Sequence, residues 1–195
     1  MSLQAVIARI AEIDGIVQPK PPAPASAPNG FLTALTGAEH GSALPAAPAT
    51  TGTALSAAQS QVGVSEQPPG SNDGPQIAEY RTATAGSGVG PWCAYFVSWA
   101  AAQAGTPVGE AGQGFGSVSA LYAWAQRTGR ATPADQGVQP TPGDLIVWGG
   151  RHIGIVESVD PDGSIHTIEG NSSNAVSRRT YGPDGGGATG YVRLG

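Results

Sequence analysis

Residues 142–170 read PGDLIVWGGRHIGIVESVDPDGSIHTIEG, and this stretch decides the fold class. Its apolar runs at 145–148, 153–159 and from 164 are short, rich in β-branched residues and separated by Gly, Pro and Asp, which predicts strands. Between the second and third, Asp160-Pro161-Asp162-Gly163 supplies the residues of a tight turn, so these strands are expected to pair antiparallel. VSRRTY from 176 and YVRL from 191 continue the pattern. Upstream the periodicity is helical. Thr53 is placed to cap a helix reaching about Val62, with Gly63 to stop it, and residues 77–80 predict a further turn. Pro91 opens a helix carrying Trp92, Phe96 and Trp99 at i, i+4 and i+7, closed by Gly105. Ser117 caps another, with Val118, Leu121, Tyr122 and Ala125 on one face and Gly129 past its end. Helices followed by strands indicate an α+β domain. The Gly-rich connection at 105–116 is expected to be mobile.

Composition sets the domain limits. Gly and Pro number 30 and 17 of 195 residues, too many for one packed core throughout, while all Trp and Tyr lie beyond residue 52. The folded domain is therefore expected at 53–195. In residues 1–18, Leu3, Val6, Ile7, Ile10, Ile13 and Val17 form one stripe of an amphipathic helix that needs a partner surface. Residues 19–52 predict a Pro/Ala-rich linker holding a short apolar island at 30–38. The net charge of −5 leaves no broad cationic face, so nucleic acid and membrane are not expected partners. No run reaches the length of a membrane span, and Arg9, Glu12 and Asp14 interrupt the first apolar pattern before a secretory core forms.

The single cysteine, Cys93, excludes an intrachain disulfide and a multi-Cys zinc site, leaving a small core filler or a working thiol. It lies in the first turn of its helix, where backbone N–H groups and the macrodipole favour negative charge. His152 opens a strand after the Gly149-Gly150-Arg151 turn, and a carboxylate and an amide, Glu169 and Asn171, follow near the end of the next strand.

With those residues in that order the chain resembles a known family. GPWCAYFVSW at 90–99, PGDL at 142–145, HIGIV at 152–156 and EGN at 169–171 look like the blocks of CHAP domains, the cysteine, histidine-dependent amidohydrolases/peptidases of bacteria and their phages. The resemblance spans roughly 53–195 and implies a papain-like α+β fold, helices packed on an antiparallel sheet, acting on peptidoglycan. Carried over, Cys93 is the nucleophile, His152 the general base and then acid, and Glu169 with Asn171 orient and polarise the imidazole. Many members carry Gln before the cysteine; here Trp92 stands there, which leaves the second oxyanion donor open. The related NlpC-like endopeptidases use a histidine in the third position, which would favour His166. Glu169 and His166 are an odd number of residues apart and point to opposite faces of a regular strand, whereas Glu169 and Asn171 would share one. Glu169 with Asn171 is the choice.

The remaining candidates are assigned more modest parts. Trp124 and Trp148 are core or cleft wall, with core favoured, and Trp92 and Trp148 are the candidate substrate contacts. Asp144 after Pro-Gly reads as a turn cap, and Arg178 with Arg179 as a solvated strand face. Asn72 and Asp73 fit a Ser-Asn-Asp-Gly turn without the alternating carboxylates of a calcium loop, so no metal and no cofactor are expected. The resemblance points to bacterial peptidoglycan as partner and the cell envelope as place of action, reached by a non-classical export route or on lysis. Residues 1–18 are the candidate docking segment to a flagellar, secretion or virion component, and the catalytic domain is expected to be monomeric. The rival reading is a non-catalytic wall-binding adaptor of such an assembly.

Overall fold

The computed structural model describes residues 53–194; the expected helix at 1–18, the linker at 19–52 and its apolar island lie outside the described residues. Four helices, α1 (Ala54–Gln59), α2 (Pro75–Thr82), α3 (Cys93–Gln103) and α4 (Val118–Arg127), precede six strands. The strands are β1 (Ala131–Pro133), β2 (Leu145–Trp148), β3 (His152–Val159), β4 (Ile165–Glu169), β5 (Ser177–Tyr181) and β6 (Gly190–Val192), with a 3-10 turn at Ala134–Gln136 after β1. They form one sheet in the order β1-β6-β2-β3-β4-β5, and each neighbouring pair is antiparallel. The architecture is α+β.

Local chemistry explains the boundaries. Thr53 Oγ1 accepts from Ser56 N–H at 3.1 Å and caps α1, and Ser117 does the same for Ala120 at the start of α4. Gly105 and Gly129 take the left-handed conformation that ends α3 and α4 (φ 74° and 69°). In the β3–β4 hairpin, Asp160 N–H and Gly163 N–H bond to the carbonyls of Ser164 and Asp160, each at 2.9 Å.

The central helix is α3. Residues 93–101 are buried without interruption, so the helix is apolar all round and is enclosed by α1, α2, α4 and β3. Tyr80 of α2 sits among Trp92, Phe96 and Trp99, with ring centroids 5.9, 5.3 and 5.0 Å away. The sheet buries both faces. Leu145, Val147, Ile153, Ile155 and Ile168 join the helical core, while Ile146, Trp148, Val156, Ile165 and Tyr191 form a second cluster.

Two expectations change. Strand β1 and the turn after it went unread, because ATPADQ carries too few apolar residues to show a period; β1 forms by pairing with β6. The Gly-rich connection at 105–116 is anchored: Val108 is buried, Gly114 N–H bonds to the Val108 carbonyl, and Ser98 Oγ exchanges hydrogen bonds with both backbone groups of Phe115.

Candidate active site

Cys93 is the first residue of α3, so its N–H is among those that have no partner within the helix. The preceding peptide is held from outside. In the amide orientation that satisfies both ends, Asn171 Oδ1 accepts from Trp92 N–H at 3.1 Å and its amide nitrogen donates to Glu66 Oε1 at 3.3 Å. Glu66 is buried and also accepts from the Trp92 indole N–H at 2.9 Å. Gly170, between Glu169 and Asn171, packs directly on Phe96, leaving no room for a Cβ; the end of β4 is thereby pressed against the helix bearing the thiol.

His152 opens β3 opposite Trp148 on β2, and the two rings stack with centroids 5.5 Å apart. Its Nε2 donates to Glu169 Oε2 at 2.8 Å, and the Cys93 thiol is the other neighbour that acts on the ring. Burial alone would lower the imidazole pKa. The hydrogen bonds to Cys93 and Glu169, and then their negative charge, outweigh it and raise the value to about 9. Near neutrality this ring is an imidazolium.

Glu169 is 1% exposed. Burial pushes its carboxyl up, but three donors more than compensate and hold it below the usual carboxylate range: His152, Thr167 Oγ1 at 2.6 Å and Tyr181 OH at 2.9 Å. Both oxygens are engaged, so the carboxylate cannot swing away from the imidazole without leaving a hydroxyl unpartnered. The arrangement is a thiol, an imidazole and a buried carboxylate in series, at a helix start and two strand ends.

Cys93, His152 and Glu169 are brought together, whereas Asn171 is not beside the imidazole. The strand ends at Glu169 and Asn171 turns off it with φ 58°, so the strand alternation that would put the two on one face does not reach it; its amide serves the Trp92 peptide instead. Trp92 is also corrected as a substrate contact: it is fully buried, its ring in the core and its N–H on Glu66. Trp148 is both core and wall, since its indole N–H donates to the Gly185 carbonyl at 2.7 Å while its ring borders an open hollow beside His152.

The other candidates lie away from the thiol. His166 bonds Asp160 at 2.8 Å and Thr180 at 3.0 Å, and does not approach His152. Asp144 caps its turn through Thr141 N–H and Oγ1 and meets Arg193 at 3.3 Å. Arg178 pairs with Glu157 and Arg179 bonds Ser172 and Ser173 at the surface. Asp73 pairs with Arg81 at 2.9 Å, which lowers its pKa, and Asn72 lies against Asn171.

Residues 84–171 match the family model described as the CHAP domain. Over that span the chain is similar to CHAP domains. CHAP domains are generally amidohydrolases or peptidases, a family linked to peptidoglycan, and the matched span contains Cys93, His152, Glu169 and Asn171. No curated protein matches the chain. Tyr181, on β5, falls beyond the matched CHAP residues and was missed by sequence reasoning, as were Glu66 and Thr167. No local pattern marks Tyr181 or Glu66, because each acts through a long-range contact. Gly154 did carry a signal: a lone Gly inside a strand marks a close approach, here the side chain of Glu169.

Proposed function

We propose that the CHAP domain hydrolyses an amide bond of bacterial peptidoglycan peptide with Cys93 as nucleophile, acting as an amidase or endopeptidase without a cofactor. The observation that supports this is the series Cys93–His152–Glu169, in which the imidazole has a buried carboxylate on Nε2 and the thiol as its other neighbour. A core cysteine would need neither.

With the proton on His152, the Cys93 thiolate attacks the carbonyl carbon of the scissile amide, and the carbonyl π pair moves onto oxygen. The unpaired N–H of Cys93 at the helix start faces that developing charge. As the C–N bond breaks, the imidazolium passes its proton to the leaving nitrogen, which departs as a neutral amine, and a thioester remains on Sγ. The imidazole, now neutral, takes a proton from water as the water oxygen adds to the thioester carbonyl. Expulsion of the thiolate gives a carboxylic acid and restores the ion pair. Glu169 stays ionised throughout: it fixes the ring orientation and stabilises the imidazolium. Asn171 and Glu66 hold the peptide before the nucleophile and so set where its N–H points.

Such an enzyme acts in the cell envelope, reached by a non-classical route or on lysis. Residues 1–18 are proposed to dock it to a flagellar, secretion or virion assembly. The adaptor reading differs in one measurable respect, since binding does not require the thiol. Digestion of purified peptidoglycan followed by mass spectrometry is expected to show new amine and carboxyl termini at one bond type, lost by several orders of magnitude in Cys93→Ala. Release of the same fragments by Cys93→Ala, or no cleavage by the unaltered chain, overturns the proposal.

A further inference from the structure

An open hollow of about 370 Å³ lies beside the imidazole, lined by Trp148, Arg151, His152, Tyr181 and Gly186. Cys93 is not among its lining residues, so it adjoins the imidazole without reaching the thiol. If His152 protonates the departing nitrogen, the part of the substrate beyond that nitrogen extends over the imidazole, toward this hollow.

The hollow is cationic at its rim. Arg151 is exposed and forms no ion pair among the described residues, and His152 next to it is protonated near neutrality. Neither Glu169 nor Asp184 forms an ion pair with the guanidinium; Glu169 is occupied by three donors, and Asp184 Oδ1 accepts from the Gly186 N–H at 3.1 Å.

The walls are also fixed. Gly149 N–H bonds Thr189 Oγ1 at 2.8 Å, Gly150 lies against Ser119 with no space for a Cβ, and the Arg151 N–H closes the turn on the Trp148 carbonyl at 3.4 Å. Trp148 is tied to Gly185 and Gly186 packs on the Tyr181 ring. A cation on a braced turn, at the edge of an aromatic wall, suits a planar anion with an apolar stem.

We infer that this hollow is the subsite for the leaving group and that Arg151 there binds a free carboxylate of the residue released as the amine. The inference rests on the amide-hydrolase reading above and adds the chemical class that the site selects.

The probe is a pool of muropeptides, freed from purified peptidoglycan by a muramidase and offered to the full chain untreated or with carboxylates converted to carboxamides by carbodiimide and ammonium chloride. The unaltered chain is expected to favour the carboxylate form in kcat/KM by about tenfold or more, the scale of a charge-assisted hydrogen bond. Arg151→Met should bring that ratio to about one, mainly through KM, and Arg151→Lys should restore part of it. Equal turnover of both forms by the unaltered chain, or a ratio that persists in Arg151→Met, overturns the inference alone. Failure of the unaltered chain to cleave either form overturns the hydrolase reading and this inference with it.

Discussion

Gly154 on β3 and Glu169 on β4 meet so closely that a Cβ on Gly154 would lie 2.7 Å from Glu169 Cγ and 3.3 Å from the Ile168 carbonyl oxygen. The glycine is required for space and not for its backbone angle, since its φ lies outside the left-handed region. Two residues from His152 on the same face of the strand, it lets the carboxylate lie under the imidazole.

Gly154→Ala is therefore expected to act on chemistry before stability. Glu169 has three hydrogen bonds to lose by moving, so the added methyl displaces the carboxylate from the imidazole or shifts the strands apart. An overpacked site of this kind costs about 1–3 kcal/mol, while a misplaced positioning group costs about a hundredfold in rate. Urea unfolding should show a folded variant, and kinetics a fall in kcat well beyond what that destabilisation explains. Unaltered kcat would show that the Glu169 contact does not matter.

The pH profile follows from the raised pKa of His152, about 9 against an ordinary 6.5. In the proposed mechanism the imidazolium supplies the proton for the leaving nitrogen, so kcat/KM should persist as pH rises through 7 and 8 and fall as the folded-state group deprotonates near 9. Glu169→Gln removes a negative charge that stabilises the imidazolium, which moves the alkaline limb to lower pH and reduces kcat on the order of a hundredfold or more. His166→Ala should leave the limb in place, because among the described residues the His166 side chain bonds Asp160 and Thr180 and not His152. A larger effect from His166→Ala would reassign the third position.

What was legible in the sequence had a local cause. Thr53, Ser117, Gly105 and the Asp160–Gly163 turn are short-range signals, and each appears where its chemistry places it. The order of Cys93, His152 and Glu169 was legible because a helix start and strand ends can be read from flanking residues. Asn171 was misplaced because strand alternation was extended one turn too far, past the point where Gly170 meets Phe96 and the chain leaves the sheet. Trp92 was misplaced because nothing local distinguishes a cleft aromatic from one whose N–H meets a buried glutamate 26 residues earlier. Tyr181 and Glu66 depend on tertiary packing that periodicity does not encode.

Iodoacetamide should inactivate the protein in proportion to Cys93 modification, since this is the only thiol in the chain and the nucleophile of the proposed acylation step. EDTA should leave activity unchanged, because no cluster of three or more His, Cys, Asp or Glu side chains that could hold a metal ion occurs among the described residues. Inhibition by EDTA that calcium reverses would place a metal in the reaction after all.

Catalysis should not need the first 52 residues. Every group assigned to the chemistry lies between Glu66 and Tyr181, and the described residues from Thr53 onward hold the cap of α1, the helical core and the whole sheet. A Pro/Ala-rich tether contributes no proton donor or nucleophile, whereas an amphipathic helix without a core of its own suits a partner groove. A chain beginning at Thr53 is therefore expected to retain kcat/KM on soluble muropeptides to within about twofold, a change too small to reflect a lost transition-state contact. If residues 1–18 dock the protein as proposed above, the same chain should lose its location in the cell. Loss of turnover on the soluble substrate, with the far-UV spectrum of the folded domain intact, would show that the N-terminal segment contributes to the active site and would contradict this division of labour.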